Sequence, residues 1–289
     1  LNACAGCFLI LKEGCKVQFV ADLHVHSTAS DGTLTPEQVV AAAGRQQLKA
    51  VALTDHDTLE GLVPAQAAGR ALGIEVIGGV ELSTEWAHEE VHVLGYFLSP
   101  GDGGLARVLA RLRRARVERA QEMVKRLARL GLHLSWEEIQ AQAGTEAVGR
   151  PHIARALVRA GYVPTVKAAF ELYLNRGCPA YVPRLKLTPA EAIALVQSSG
   201  GVAVLAHPGL LSRPEVLEEL LALDWQGIEV FYPEHSEKVT AALLSLARDR
   251  GLVPTGGSDF HGEGHAGPSL GACTVSSHLV AELKKRRRF

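Results

Sequence analysis

The sequence predicts an α/β fold: a distorted seven-stranded β/α barrel, irregular or incomplete, with an inserted helical subdomain. Three observations carry that expectation. From Val20 onward, short apolar runs rich in β-branched residues alternate with helical stretches, as in parallel strands joined by helical crossovers. Seven such runs occur, enough for a barrel that falls short of regular eightfold closure. Between Leu105 and about Arg176 the alternation stops and no convincing strand appears.

In chain order, the predicted strands are Phe19–His24, Ala50–Thr54, Ile74–Val80, Val91–Phe97, Val202–Ala206, Gly227–Phe231 and Leu252–Gly256. Helices are expected over Pro36–Gln47, Leu59–Leu72, Pro189–Ser199, Pro214–Leu223 and Ser236–Arg250. Thr35-Pro36-Glu37 and Thr188-Pro189-Ala190-Glu191 join a capping residue to a first-turn proline, which is a helix-start signal. Glu81–Trp86 and Val91–Phe97 are separated only by Ala87-His88-Glu89-Glu90, hairpin rather than crossover spacing. In the insertion, Leu105, Val108, Leu109, Leu112, Val117, Ala120, Val124 and Leu127 form an apolar helical stripe. The expected division is an extension over 1–17, a barrel from 18–104 and 177–289, and a helical subdomain over 105–176, placed above the barrel mouth.

Composition bounds the function. The chain has 289 residues, is 47% hydrophobic and 21% charged, and carries a formal net charge of −1, so no global basic field argues for nucleic acid. Nine Lys/Arg against two Glu in Arg107–Arg129, and five consecutive cations from Lys284 to Arg288, read first as a solvated helix face and a tail. Cys4, Cys7 and Cys15, with isolated Cys178 and Cys273, give an odd count without a signal peptide, pointing to reduced thiols and a cytoplasmic protein. Residues 1–17 lack an initiator Met and read as a poorly ordered extension. The apolar run Leu9–Leu11 is too short for a membrane span. No obligate protein partner is evident.

Chemistry concentrates at strand ends. His24 and His26 are two apart on a strand, so both rings face one way, and could hold one metal ion from adjacent positions. Thr54-Asp55-His56-Asp57 closes the second strand, and Gly79-Val80-Glu81 the third. His92 lies in the fourth, while His207-Pro208-Gly209 and Ser258-Asp259-Phe260-His261 follow later ones. Singly, each has a bland reading: a helix-capping turn, an edge carboxylate, a core histidine. So many His and carboxylate residues at one end of successive strands are hard to reach by independent accident, and that end is where α/β barrels build sites. His88, His133, His235, His265 and His278 lack such placement and are read as surface or supporting residues.

His24-x-His26, Asp31, Thr54-Asp55-His56, Glu81, His92, His207-Pro208 and Asp259-Phe260-His261 together resemble the polymerase and histidinol phosphatase (PHP) superfamily from Val20 to Leu270. Asp22–Ser27, Ser30-Asp31-Gly32 and Gly149-Arg150-Pro151-His152 resemble its bacterial branch that hydrolyses 3',5'-nucleoside bisphosphates and trims 5'-phosphorylated RNA. That resemblance implies a PHP-type barrel and three divalent ions. One would be held by His24, His26, Asp259 and Glu81, a second by Glu81, His92 and His207, and a third by Asp31, His56 and His261. Six imidazoles and three carboxylates without thiolate suit Mn²⁺, Fe²⁺ or Zn²⁺ rather than Ca²⁺, with Mn²⁺ the first expectation. The expected nucleophile is a metal-bridging hydroxide, with Asp55 and Asp57 orienting a ligand histidine. Arg150 and Arg184, with His152 a weaker candidate, would grip a second phosphate. The implied substrates are small nucleotides with two phosphates, and short 5'-phosphorylated RNA. Rival readings are a histidinol-phosphate phosphatase, against which the Gly149–His152 segment and long insertion weigh, and a non-catalytic nucleic-acid-binding module, against which nine filled ligand positions weigh.

Overall fold

Apolar runs too short for helices and flanked by turn residues become strands that hydrogen-bond into one sheet. The computed structural model describes residues 20–101, 103–143, 148–262 and 267–288; the expected 1–17 extension, Cys4, Cys7, Cys15 and His265 lie outside them. Strands β1 (Val20–Val25), β2 (Ala50–Leu53) and β3 (Glu75–Trp86) are parallel. β4 (Glu89–Tyr96) is antiparallel to β3 and to β5 (Val202–Leu205). Next come β6 (Gly227–Phe231) and β7 (Val253–Gly256), parallel to β5. The order is β7-β6-β5-β4-β3-β2-β1-β8, where β8 (Val275–Ser276) is a two-residue antiparallel strand beside β1 that the sequence did not announce.

The ends of the sheet nearly meet. Phe260, just after β7, bridges Val25, and its carbonyl accepts the His26 N–H at 2.9 Å. β2, β5 and β6 are buried throughout, as expected of strands covered on both faces.

The hairpin forms, but more tightly than its spacing suggested. β3 runs unbroken through Glu81 to Trp86, leaving only Ala87 and His88 as the turn, both at positive φ (49° and 70°). Two left-handed residues make a type I′ turn, whose twist matches the strands it joins. Glu81 therefore sits within a strand, not beyond its end.

Helices surround this sheet. α1 (Pro36–Arg45) opens on a capping box between Thr35 and Gln38, and α2 (Leu62–Leu72) precedes β3. Residues up to Ala106 and from Leu187 onward form one compact unit, Arg107–Lys186 another; the helical unit thus runs past 176 and includes Arg184. Its helices are α3 (Gly103–Arg129, entering from the barrel unit), α4 (Trp136–Ala143), α5 (Arg150–Arg159) and α6 (Val166–Ala169). Met123, Leu127, Ile139, Ile153 and Leu157 form its core.

Back in the barrel unit, α7 (Pro189–Ser198) has the Thr188–Glu191 capping box. α8 (Pro214–Leu220), α9 (Glu237–Asp249) and α10 (Ser277–Lys284) complete it. The basic run after α10 is fastened down rather than loose. Arg286 donates to the Gly251 carbonyl (3.0 Å), Arg287 to that of Gly200 (2.9 Å), and Arg288 pairs with Asp224 (2.6 Å). No helix among the described residues is long and apolar enough to cross a membrane.

Candidate metal centre

β1 alternates side chains so that the fully buried rings of His24 and His26 point the same way. Each Nε2 faces the same two carboxylates. His24 lies 3.2 Å from Glu81 Oε2 and 3.3 Å from Asp259 Oδ1; His26 lies 3.2 and 3.1 Å from them. The other Glu81 oxygen, Oε1, is 2.7 Å from His92 Nδ1 and 3.2 Å from His207 Nε2. Asp31 collects His261 at 3.4 Å, His56 at 3.7 Å and the far side of His26 at 3.8 Å.

All nine expected residues thus converge in three overlapping groups: His24, His26, Glu81 and Asp259; Glu81, His92 and His207; and His26, Asp31, His56 and His261. The third group gains His26. A neutral imidazole has one free lone pair, so His26 can serve the first group or the third, not both.

This donor set fits divalent ions. Buried polar atoms normally have hydrogen-bond partners, yet His24 Nε2, both His26 ring nitrogens, His56 Nδ1 and Asp259 Oδ1 have none. They are ligand-type atoms facing one another at 3–4 Å, as ligands around a shared cation do.

Electrostatics show what the cluster does without cations. Burial alone would make His24 less basic, but Glu229, Asp259 and Glu81 overcome it and hold its pKa well above normal. Burial likewise works against protonation at His26 and His92, yet neighbouring carboxylates raise both to about 10. His56 goes the other way: burial outweighs Glu81 and Asp31, and it falls to about 4. Burial opposes the charge on Glu81, but the surrounding histidines hold its pKa far below normal. Ions must therefore displace protons. Adding Mn²⁺ to weakly buffered metal-free protein at pH 7 should acidify the solution, and apparent affinity should climb steeply from pH 6 to 8. Calorimetry in buffers of different ionisation enthalpy reads the proton count; uptake without proton release would contradict this charge distribution.

The backbone is also under tension here. His207 (φ 27°), Asp259 (φ 53°) and Asp57 (φ 53°) occupy left-handed conformations, which cost energy in non-glycine residues and cluster at functional sites.

Asp55 and Asp57 are placed differently from expectation. Asp55 accepts from Ser27 N (2.7 Å), Ser27 Oγ (2.8 Å) and Ser30 Oγ (2.7 Å), and so braces the loop carrying Asp31 instead of a histidine ring. Asp57 accepts from Ser83 N on β3. The carboxylate behind a ligand-type histidine is Glu229, whose Oε1 lies 3.0 Å from His24 Nδ1. Asp22 is a second unforeseen buried acid. It accepts from Ser258 Oγ (2.6 Å), Ser258 N and Gly271 N, while burial lifts its pKa to about 6. Tyr232 donates to Asp259 Oδ2 at 2.9 Å. An acid inside an apolar strand run, as in Ile228-Glu229-Val230, is costly unless paired; that was the available signal.

In the helical unit, Arg150 opens α5 and lies over the Phe170 ring (5.6 Å). His152 is buried, and its Nδ1 accepts the Gly149 N–H (3.1 Å), closing the first turn of α5. Two further arginines join. Arg119 donates to the Val182 carbonyl (2.6 Å) and lies over Tyr181 (5.8 Å). The Arg116 guanidinium sits where a Cβ on Gly149 would meet it at 3.4 Å. Burial first, and then Arg150, Arg184 and Arg116, draw Arg119 down to about 10.

Comparison with known proteins agrees with this geometry. The sequence model of the PHP domain matches residues 22–160. The 3',5'-nucleoside bisphosphate phosphatase of Chromobacterium violaceum is 37% identical over 86% of this chain and 90% of its own length. The 5'-3' exoribonuclease Rnm of Escherichia coli is also 37% identical, over 84% of this chain and 85% of its own. A Bifidobacterium adolescentis structure described as a metal-dependent phosphoesterase superposes with a TM-score of 0.79 at 33% identity, covering 93% of this chain and 96% of that one.

Proposed function

The chain belongs to the PHP domain family and is a metal-dependent phosphoester hydrolase; within that class, we propose that it removes the 3'-phosphate from 3',5'-nucleoside bisphosphates. The observation that carries the reading is the cluster of nine ligand-type residues in the barrel unit.

Three divalent ions, Mn²⁺ first and Fe²⁺ or Zn²⁺ as alternatives, would be held by His24, His26, Glu81 and Asp259; by Glu81, His92 and His207; and by Asp31, His56 and His261. Bound there, they would supply an acidified water and neutralise charge on the phosphate oxygens. The protein's part is positional. Glu81 offers one oxygen to each of two groups, Tyr232 fixes Asp259, and Asp55 holds the loop bearing Asp31 through Ser27 and Ser30. In the helical unit, Arg150 and Arg184, together with Arg116 and Arg119, would offer guanidinium forks suited to a phosphate that is not cleaved, a geometry lysine does not reproduce.

Identity to the C. violaceum phosphatase supports this substrate, and identity to Rnm favours short 5'-phosphorylated RNA as a second one. Phosphate release from adenosine 3',5'-bisphosphate should require Mn²⁺ and stop with chelator, while histidinol phosphate turns over poorly. Equal rates with chelator, or preference for histidinol phosphate, would reject the proposal. Arg119→Gln should raise KM for the bisphosphate about 10- to 100-fold, the scale of one lost charge-assisted contact, and change kcat less. An unchanged KM would remove Arg119 from the substrate site.

A further inference from the structure

We propose that Glu229 is a positioning residue that ties two of the candidate ion positions together. This inference rests on the metal-binding reading above and not on the choice of substrate. Glu229 is fully buried on β6, and the pairing of β6 with β7 slips by one residue directly after it. Its two oxygens go to different groups. Oε1 meets His24 Nδ1 at 3.0 Å, and Oε2 accepts the His207 backbone N–H at 2.8 Å.

The two contacts do different work. A carboxylate at Nδ1 keeps the hydrogen on that nitrogen, leaving the lone pair at Nε2 to face Glu81 and Asp259. The contact to His207 N holds a residue that is strained twice over: its φ is 27°, and it precedes Pro208, where helical conformations are disfavoured. Relaxation of that backbone would carry the His207 ring away from Glu81 Oε1, now 3.2 Å distant. One side chain thus fixes the tautomer of a ligand in the first group and the backbone of a ligand in the second.

Both contacts require an acceptor, and this makes the isosteric substitution informative. In Glu229→Gln, one of the two positions must present an NH2 group. Facing His207, it opposes an N–H and the strained turn loses its restraint. Facing His24, it requires a lone pair at Nδ1, which moves the ring hydrogen to Nε2 and blocks coordination. Either way both positions should weaken, because Glu81 links them.

The test is Mn²⁺ titration, followed by calorimetry and electron paramagnetic resonance, of the full chain and of Glu229→Gln. The titration is repeated in two backgrounds that each disable one group, Asp259→Asn and His92→Ala. The expected result is an affinity reduced about 10- to 100-fold, the usual scale for groups behind metal ligands, in both backgrounds. Nitrogen NMR of the zinc-loaded protein should show His24 with its hydrogen on Nδ1 in the parent, and a mixed or reversed tautomer in Glu229→Gln. A role in folding alone would lower the melting temperature without altering the tautomer. Glu229→Asp keeps two acceptor oxygens one methylene short, and should bind ions better than the Gln variant; if Gln fails to fold, this variant carries the titration. Weakening in only one background, or unchanged affinity and tautomer in folded Glu229→Gln, would overturn the proposal. A parent protein that binds no Mn²⁺ would instead overturn the metal reading.

Discussion

Glu81→Gln should reduce phosphate release by on the order of 10³-fold, the scale reached when a preorganised electrostatic contact is lost from an active site, and should lower bound metal. Glu81 is buried, with Oε2 facing His24, His26 and His56 and Oε1 facing His92 and His207. An amide keeps the shape but removes the charge and turns an NH2 toward ring nitrogens on one side. Two ion positions are affected together, so the loss should exceed that from a ligand serving one position, such as His261. Metal analysis alongside the rate separates this from a purely catalytic defect. A variant with full metal content and parental turnover would remove Glu81 from the centre.

Gly257→Ala should be almost as damaging without altering a single candidate ligand. A Cβ there would collide with His24 N and Cβ and lie 2.8 Å from its Cα. Two of those atoms are backbone of β1, so no rotamer change relieves the clash; the end of β7 and β1 must part. Overpacking of this kind costs about 1–3 kcal/mol and occasionally more, which corresponds to a fall in melting temperature of roughly 2–5 °C for a protein of this size. Displacing His24 should also weaken metal binding. Gly267→Ala, which would meet nothing within 4 Å, is the control. Parental stability and metal affinity in Gly257→Ala would show that the strands are not held so closely.

Much of this was legible in the sequence because it depends on local signals. The strand runs, both threonine-capped helices and the His24-x-His26 pair are short-range patterns, and in three dimensions all nine candidate ligands come together. The less legible features are those fixed by tertiary packing. The continuity of β3 past Val80 was hidden because Ile74–Val80 and Glu81–Trp86 read as separate runs. Nothing local in Ala87-His88 demands a type I′ turn; the twist of the flanking strands imposes it. Glu229 and Asp22 lay inside apolar runs and were absorbed into strand assignments, although a buried acid there needed a partner distant in the chain. Arg116 and Arg119 were hidden among similar arginines, since which ones gather depends on where Gly149 and Val182 fold against α3.

The basic residues after α10 have a bearing on how the protein ages. Arg286 and Arg287 hold the carbonyls of Gly251 and Gly200, the glycines that end α9 and α7, where orphan carbonyls favour a cation. Cleavage by a protease just ahead of Arg286 would therefore fray two helices that lie well upstream in the chain. The injury would surface first as faster amide exchange at those exits, with turnover still intact.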